Sequence, residues 1–432
     1  MTIEQTARRA RQASTQLAAA SARQKNEALA AVRAALLARA GAIIEANRAD
    51  LAQAEQDHLA KPLLKRLKFD QSKIDEACAG LDSLMALDDP VGKTLTATEL
   101  DAGLELYKVT CPIGVIGVIF ESRPDALVQI SSLCLKSGNA VLLKGGSEAA
   151  RTNRILAETI GQAAVSAGIP DGWLGLLETR ADVARMLTLD KDIDLIIPRG
   201  SNEFVRHIMD TTRIPVMGHA DGICHVYVDA AAELDMAVAL AVDSKCQYVA
   251  VCNAAETLLV HQAIAAAYLP KLKTAMDAKA VELRGCEKTR RIIECAPADE
   301  QDWKTEYLDA ILSIRVVESL DAAIEHINTY GSGHTDAIVT ADRQAAMRFM
   351  DRVDSADVFW NASTRFADGF RFGLGAEVGI STSKLHARGP VGMEGLLIYK
   401  WRLVGNGHIV ADYAGSDAKA FSHKPLTTHW ER

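Results

Sequence analysis

The most constraining feature of the sequence is a series of short apolar runs that alternate with helical patterns between residues 112 and 198. The runs are "PIGVIGVIF", "AVLLK" at 140–144, "LGLLE" and "DLIIP" at 194–198, with helices expected at 125–137, 148–167 and 181–187. Strands that are apolar on both faces are typical of a parallel sheet covered by helices. The sequence therefore predicts a doubly wound α/β sheet of the nucleotide-binding type.

Other segments surround this sheet. Residues 3–57 have helical spacing, and a second series of strands and helices beyond residue 250 indicates a second α/β domain. In the tail, "LLIYKWRLV" and "HIV" flank a short "GNG" turn, which predicts a β-hairpin arm between subunits or, alternatively, a hairpin folded on its own subunit. We expect a cofactor-binding domain over 1–250 with a return segment near 368–392, a catalytic domain over 251–367, and an oligomerisation hairpin and tail over 393–432, to which 103–112 is a candidate addition.

Composition excludes several classes of function. The 432 residues carry a net charge of −8 with scattered basic residues, which argues against a nucleic-acid partner. No apolar run approaches the ~20 residues of a membrane span, so no membrane contact is expected. Eight irregularly spaced cysteines without a CxxC pair predict neither a disulfide framework nor a metal site, and they favour the cytoplasm. The arginine-rich first 25 residues resemble a mitochondrial presequence, but a surface helix is the favoured interpretation.

Cys252, in "VAVCNAAETLLVH", is the candidate nucleophile. The segment after it has the pattern of an amphipathic helix, and a thiol at a helix N-terminus has a lowered pKa. A buried cysteine that only fills space is the alternative, and Cys246 is a rival nucleophile. On such a helix Glu256 would share the face of Cys252, as a base or as a structural group.

Two strand-to-helix turns are candidate anion sites, although the GxGxxG fingerprint does not follow the first strand. In "LLKGGSEAARTN", Lys144 ends a strand, and two glycines and Ser147 open a helix. In "PRGSNEF", Gly200 and Ser201 begin a helix beside Arg199. Amide groups at a helix start bind anions such as the phosphates of a dinucleotide, but plain structural turns remain an alternative.

Taken in order, these segments resemble the aldehyde dehydrogenase superfamily. The matching stretches are "PIGVIGVI", "SGNAVLLKGGSE", "GIPDG", "PRGSNE", "CNAAETLLVH" and "SADVFWNAST". Within that superfamily, "FESRPDA", "PVMGHADGICHVYVD", "EHINTYGSGHTDAIVT" and "GISTSKLHARGPVGMEGL" resemble the gamma-glutamyl phosphate reductases. The resemblance spans nearly the whole chain.

This resemblance implies an activity. Enzymes of the family use NADPH to reduce L-glutamate 5-phosphate to L-glutamate 5-semialdehyde, with release of phosphate, in L-proline biosynthesis. The reaction would pass through a thioester on Cys252. A glutamate 5-kinase is expected as the upstream enzyme and a candidate contact, and the protein is expected to be a cytoplasmic homo-oligomer.

The resemblance also implies residue roles, none of them metal binding. Catalysis falls to Cys252, and Asn253 is a candidate for part of an oxyanion hole together with the Cys252 amide. Cofactor binding falls to Lys144, Ser147, Gly200, Ser201 and Glu306. Substrate binding falls to Ser122, Arg123, His334, Thr335, Asn361, Ser363 and Thr364, with a structural ion pair as the alternative for Arg123. The preference for NADPH has little support from the residues, because Ser147 and Arg151 suit a 2′-phosphate whereas Glu148 repels one.

One departure separates the chain from the oxidising aldehyde dehydrogenases. Those enzymes carry a glutamate base in the segment that matches "VMGHADG", where this chain has Gly218 and His219. Without that base, a thioester on Cys252 is expected to react with hydride rather than water. The alternatives are an aldehyde dehydrogenase that oxidises a semialdehyde to its acid, and a non-catalytic binding or scaffold protein.

Overall fold

The computed structural model describes residues 1–121, 123–374 and 377–430 as a mixed α/β protein. The predicted fold class is therefore confirmed. Ser122, which the resemblance assigns to substrate binding, lies outside the described residues. Within these ranges, no helix has both the length and the apolar character needed to cross a membrane.

Five helices precede the first strand. They are α1 (Ile3–Leu17), α2 (Ala22–Ala38), α3 (Ala40–Gln56), α4 (Lys61–Leu67) and α5 (Gln71–Ala86). Thr2 and Ser21 begin α1 and α2, and each forms a capping box with the glutamine three residues later. These side chains satisfy amide groups that a helix start leaves without partners.

An antiparallel hairpin, β1 (Thr94–Asp101) and β2 (Leu104–Pro112), leads into the first parallel sheet. The sheet and its helices are β3 (Val115–Ile119), α6 (Pro124–Ser137), β4 (Ala140–Lys144), α7 (Ala150–Ser166), β5 (Leu174–Leu176), α8 (Arg180–Met186), β6 (Leu195–Pro198) and α9 (Asn202–Thr211). The strand order is β5-β4-β3-β6. All four strands expected from the apolar runs are present.

Helices bury both faces of this sheet, which explains why its strands are apolar throughout. Val118 and Val141 pack with the core that includes α2, α5 and α6. Val115 and Leu142 point the other way and pack with α1 and α9. Alternate residues of one strand therefore lie in two different cores.

The second sheet has seven parallel strands. In chain order its elements are β7 (Cys224–Val228), α10 (Leu234–Cys246), β8 (Ala255–His261), α11 (Gln262–Asp277), β9 (Glu282–Gly285), α12 (Glu287–Arg290), β10 (Ala296–Pro297), β11 (Ile311–Val317), α13 (Leu320–Tyr330), β12 (Thr335–Val339), α14 (Arg343–Arg352) and β13 (Asp357–Trp360). Their order is β10-β9-β11-β8-β7-β12-β13. Because β7 and α10 belong here, residues 224–246 lie with the second sheet, although the sequence analysis placed them in the cofactor-binding domain.

The predicted helix after Cys252 is wrong, because the segment forms strand β8. This strand lies between β11 and β7 and has both faces covered. A short, continuous apolar run is compatible with either a buried strand or a buried helix, so periodicity cannot separate them.

The tail adds strands to the hairpin. After the short pair β14 (Gly379–Ser381) and β15 (Gly389–Val391), strand β16 (Leu397–Val404) pairs antiparallel with β2, and β17 (Lys424–Pro425) pairs with β1. The predicted hairpin between β16 and residues 408–410 is therefore wrong. Strand β2 offers β16 eight paired residues, from Pro112 to Glu105, whereas "HIV" would offer three.

Candidate active site

Cys252 lies in the turn between α10 and β8, and contacts from distant segments hold this turn. Cys224 Sγ donates to the Cys252 carbonyl at 3.2 Å, and Thr364 Oγ1 donates to the Asn253 carbonyl at 2.7 Å. A Cβ added at Gly222 would lie 2.1 Å from the Cys252 carbonyl oxygen. The two backbones thus approach as closely as only glycine permits.

The surroundings of the Cys252 thiol favour its protonated form. Burial, together with the nearby charges of Glu306 and Glu377, raises the pKa of this thiol to about 12, while Arg199 opposes the shift. A buried thiolate loses its hydration, so burial disfavours the charged form. The lowered pKa expected from a helix N-terminus is therefore wrong, because no helix follows Cys252.

Three guanidinium groups contribute positive charge around the Cys252 thiol. Burial and the charge of Arg123 lower the pKa of Arg199, whereas the charges of Glu377 and Cys252 act in the opposite direction. Arg365 also interacts electrostatically with Cys252. The side chain of Arg123 is 43% exposed, with Asp125 at 3.4 Å. The arginines make the region around the thiol suitable for an anionic substrate.

Two histidines meet at the thiol. Ligand atoms of His219, Cys252 and His334 all lie within 4.8 Å of one another. The two imidazole rings are in edge-to-face contact, with 4.9 Å between their centroids. His334 was predicted at the substrate side, whereas His219 was noted only as the residue at the position of the missing base.

Three predicted substrate residues make hydrogen bonds within the protein, and one of them, Thr364, bonds to the nucleophile turn. Asn361 uses both ends of its amide on Thr340, accepting from the backbone N at 2.9 Å and donating to the carbonyl at 3.0 Å. Ser363 contacts Ser244 through their hydroxyl groups at 3.2 Å, and Thr364 bonds to the turn itself. Their polar groups are engaged by the protein. Thr335 likewise contacts His334 Nδ1, at 2.7 Å.

Asn253 and Glu256 also have structural partners. Asn253 Nδ2 donates to the Ala367 carbonyl at 2.8 Å, and the side-chain atom left without a partner is Oδ1, an acceptor. One N–H of Nδ2 is engaged in this way, and the oxyanion contact of Asn253 stays a prediction. Glu256 pairs with Lys245 at 2.6 Å with both side chains inaccessible, and burial raises the pKa of Glu256 to about 7. The structural interpretation of Glu256 agrees with this pair.

The residues predicted to bind the cofactor lie at the carboxyl edge of the first sheet. Lys144 ends β4, Ser147 begins the turn into α7, and Gly200 and Ser201 connect β6 to α9. In the described structure the Ser201 side chain makes no capping hydrogen bond. Its hydroxyl and the first amide groups of α9 therefore suit an anion such as a dinucleotide phosphate.

Glu306 connects this edge with the nucleophile. Its Oε2 accepts from Asn202 Nδ2, at the start of α9, at 2.5 Å. Its charge also contributes to the raised pKa of Cys252. The same carboxylate thus lies beside both the candidate dinucleotide edge and the thiol, and its role in cofactor binding stays a prediction.

Comparisons with known proteins agree with this arrangement. Residues 2–289 and 284–385 match the aldehyde dehydrogenase family. The gamma-glutamyl phosphate reductase of Pelotomaculum thermopropionicum is 66% identical over 426 residues, which cover 99% of this chain and 98% of the relative. The crystal structure of the Thermotoga maritima gamma-glutamyl phosphate reductase has a TM-score of 0.92 at 40% identity and covers 95% of this chain and 100% of that one.

The chain belongs to the gamma-glutamyl phosphate reductase family. It is therefore an oxidoreductase with the aldehyde dehydrogenase fold. The fold extends to more distant proteins: an engineered glycolyl-CoA reductase with bound NADP⁺ has a TM-score of 0.62 at 15% identity and covers 93% of this chain and 96% of that one.

Sequence reasoning missed several residues of this reductase-family site. Gly222, Arg365 and Glu377 were not singled out, and Arg199 was noted only for its place in a turn. Gly222 has a negative φ, so no turn pattern marks it, and its importance comes from a contact with Cys252. Arg365 is almost fully buried, and arginine is rarely buried without a partner. Its place directly after "NAST" in the sequence was the signal that could have identified it.

We expect Gly222→Ala to displace the Cys252 turn, because the new Cβ would lie 2.1 Å from the Cys252 carbonyl oxygen. A displacement of this kind can reduce turnover by about 100-fold. The rate of oxidoreductase turnover and the melting temperature are the measurements. Gly161→Ala is the matched control, since nothing lies within 4 Å of its new Cβ. Wild-type turnover in Gly222→Ala would contradict the proposed contact.

Proposed function

We propose that this protein uses NADPH to reduce L-glutamate 5-phosphate to L-glutamate 5-semialdehyde, with release of phosphate, in L-proline biosynthesis. The names of its relatives support this reaction. The observation that carries the proposal is the position of a single cysteine, Cys252, between a dinucleotide-suited sheet edge and a group of arginines. An acyl phosphate needs a nucleophile and cations for the leaving phosphate.

In the proposed mechanism, Cys252 Sγ forms a bond to the acyl carbon of the substrate, and the thiol proton leaves with the phosphate. The bond from that carbon to the phosphate oxygen breaks, so inorganic phosphate leaves and a thioester remains on the protein. When bound at Lys144, Ser147, Gly200, Ser201 and Glu306, the nicotinamide cofactor would supply the hydride for reduction of the thioester to the aldehyde, and the released Cys252 thiolate would take a proton from solvent. Gly222, Cys224 and Thr364 hold the turn on which the nucleophile lies.

Oxidation of a semialdehyde to its acid is the second candidate function. Although the segment matching "VMGHADG" carries no glutamate, and its one carboxylate, Asp221, pairs with Arg206, Glu306 and Glu377 lie close enough to raise the thiol pKa. Each carboxylate already accepts a hydrogen bond, Glu306 from Asn202 and Glu377 from the Gly369 amide at 2.8 Å. These bonds favour a fixed position over activation of water.

Phosphate dependence separates the two functions. With L-glutamate 5-semialdehyde, we expect NADP⁺ to be reduced only when phosphate is added, and NAD⁺ to be a poorer acceptor. Cys252→Ala should reduce the rate by at least about a thousandfold, while Cys246→Ala, a half-buried cysteine outside the site, should leave it unchanged. Initial rates followed by absorbance measure the dependence on phosphate, on the nucleotide and on each cysteine. Oxidation at full rate without phosphate would instead establish the dehydrogenase.

We assign the leaving phosphate to Arg123 together with the arginines near Cys252. The Arg123 guanidinium is partly exposed and acts electrostatically on both Arg199 and Glu377, so it borders the charged region. A planar guanidinium matches phosphate with paired, charge-assisted hydrogen bonds. Pairing with Asp125 orients it but leaves it reachable by solvent.

Arg123→Ala is expected to lower kcat/KM for phosphate in the reverse reaction by about 10- to 100-fold, the worth of one charged hydrogen bond. Arg123→Lys should recover part of this loss. Arg154→Ala removes an arginine that pairs with Glu178 on the exposed surface, and it serves as the control. An unchanged kcat/KM for phosphate in Arg123→Ala would mean that other residues bind the phosphate.

NADPH is the proposed cofactor, held by Lys144, Ser147, Gly200, Ser201 and Glu306. The uncapped start of α9 and the lysine at the end of β4 support binding of the phosphates. A distant neighbour with the same fold has bound NADP⁺. The substrate is proposed to come from a glutamate 5-kinase in the cytoplasm.

A homo-oligomer is also proposed, formed through β16. This strand is at the edge of the sheet ordered β16-β2-β1-β17, so its outer hydrogen-bonding groups face away from the described sheet. Its apolar side chains are exposed, with Trp401 at 55% and Leu403 at 59%. An exposed, apolar edge strand favours pairing with another chain.

Trp401→Asp combined with Leu403→Asp is expected to reduce the particle to the monomer mass of 46.5 kDa, because it places charge on the edge strand. Light scattering after size exclusion measures the mass. Phe370→Asp, at an 81% exposed aromatic outside the sheet, should leave the mass unchanged. An oligomer that survives the double substitution would contradict assembly through β16.

A further inference from the structure

Three neighbouring strands of the second sheet bring metal-ligating side chains to one edge. His219 precedes β7, Cys252 precedes β8, and His334 immediately precedes β12. Because β8, β7 and β12 are adjacent and parallel, their amino ends meet at the same edge. The ligand atoms of the three residues lie within 4.8 Å of one another. No spacing rule finds this cluster, since its members are far apart in the sequence.

The imidazoles are oriented by hydrogen bonds to their Nδ1 atoms. His334 Nδ1 contacts Thr335 Oγ1 at 2.7 Å, and His219 Nδ1 contacts the Ile380 carbonyl at 3.1 Å. A carbonyl only accepts, so Nδ1 of His219 carries the proton and its Nε2 has the lone pair. Bonds of this kind fix the orientation of histidines that bind metals.

His334 provides independent support for a ligand at this place. Its side chain is fully buried, and among the described residues nothing hydrogen-bonds to its Nε2. A buried polar atom without a partner is unfavourable, and a bound group would satisfy it. His219, in edge-to-face contact with this ring, has its own Nδ1 engaged.

We propose that His219, Cys252 and His334 form a site for Zn²⁺ that reversibly blocks the nucleophile. Thiolate and imidazole are ligands that Zn²⁺ prefers, unlike Mg²⁺ or Ca²⁺, which take oxygen. Bonds of about 2.3 Å to sulfur and about 2.0 Å to nitrogen require ligand atoms roughly 3.5 Å apart, so no pair of ligand atoms needs to close by more than about 1.3 Å. Waters of hydration leave the ion as one Zn–S and two Zn–N bonds form, the thiol proton passes to solvent, and one water completes the tetrahedron.

The charges around the cluster fit a cation that competes with the substrate. Glu306 and Glu377 act on the thiol as negative charges, and Arg199 and Arg365 act as positive ones. The carboxylates offset the charge of the ion, whereas the arginines limit its affinity and keep binding reversible. A sulfur bound to Zn²⁺ cannot attack an acyl carbon, and it is also shielded from oxidation. The site would therefore act as an inhibitory and protective one.

The test uses the reduced, full-length protein after removal of metals with EDTA. Co²⁺, as a spectroscopic probe, is expected to bind with one equivalent and give a thiolate-to-metal charge-transfer band that Zn²⁺ abolishes. Equimolar Zn²⁺ should slow iodoacetamide labelling of Cys252 by at least about tenfold, and EDTA should restore it. The labelling of Cys246, measured in the same mass spectra, should not change.

Variants separate this site from adventitious binding. Cys252→Ala should lose the charge-transfer band, and His334→Gln should weaken Zn²⁺ protection by at least about tenfold while Cys252 still reacts without metal. His207→Gln, at an exposed histidine outside the cluster, is the matched control. Undiminished Zn²⁺ affinity in Cys252→Ala, or an equal loss in His207→Gln, would overturn the proposal. None of these measurements needs substrate, so their outcome is independent of the proposed reductase activity.

Discussion

The close approach of Gly222 to Cys252 is the constraint on which the candidate site depends. The turn before β8 is too short to fix a side chain by itself, so its geometry comes from neighbours. Gly222 supplies a surface without a side chain, Cys224 bonds to the carbonyl of Cys252, and Thr364 bonds to the next carbonyl. These contacts come from two distant parts of the chain, residues 222–224 and residue 364, and act on two consecutive peptide groups. The position of the thiol is therefore a property of the tertiary structure.

The two parallel sheets contribute different edges to the site around this turn. The first sheet contributes the carboxyl ends of its strands, where Lys144 and Ser201 lie. The second contributes the amino ends of β7, β8 and β12, which precede or carry His219, Cys252 and His334. Glu306 contacts both, since it bonds to Asn202 and acts on the thiol. Parallel strands account for both edges, because all their equivalent ends lie on one side.

Much of the fold could be predicted from the sequence, and the failures have physical causes. The first sheet was predictable because its strands are apolar on both faces and are separated by helices. β8 was mistaken for a helix because a buried central strand has the same composition as a buried helix. The pairing of β16 with β2 was missed because nothing local distinguishes a distant partner from the nearer run at 408–410.

The candidate site was predictable in its main residue but less so in its support. Resemblance pointed to Cys252, His334 and Glu306, which the structure brings together. It also suggested Asn361 and Thr364 as substrate residues, whereas their polar groups hold backbone. A matching motif marks a place near the chemistry without saying which side chains face it. The arginines and carboxylates around the thiol belong to separate segments, and only folding brings them together. Their charges determine whether an anion, a cation or water is favoured next to the thiol.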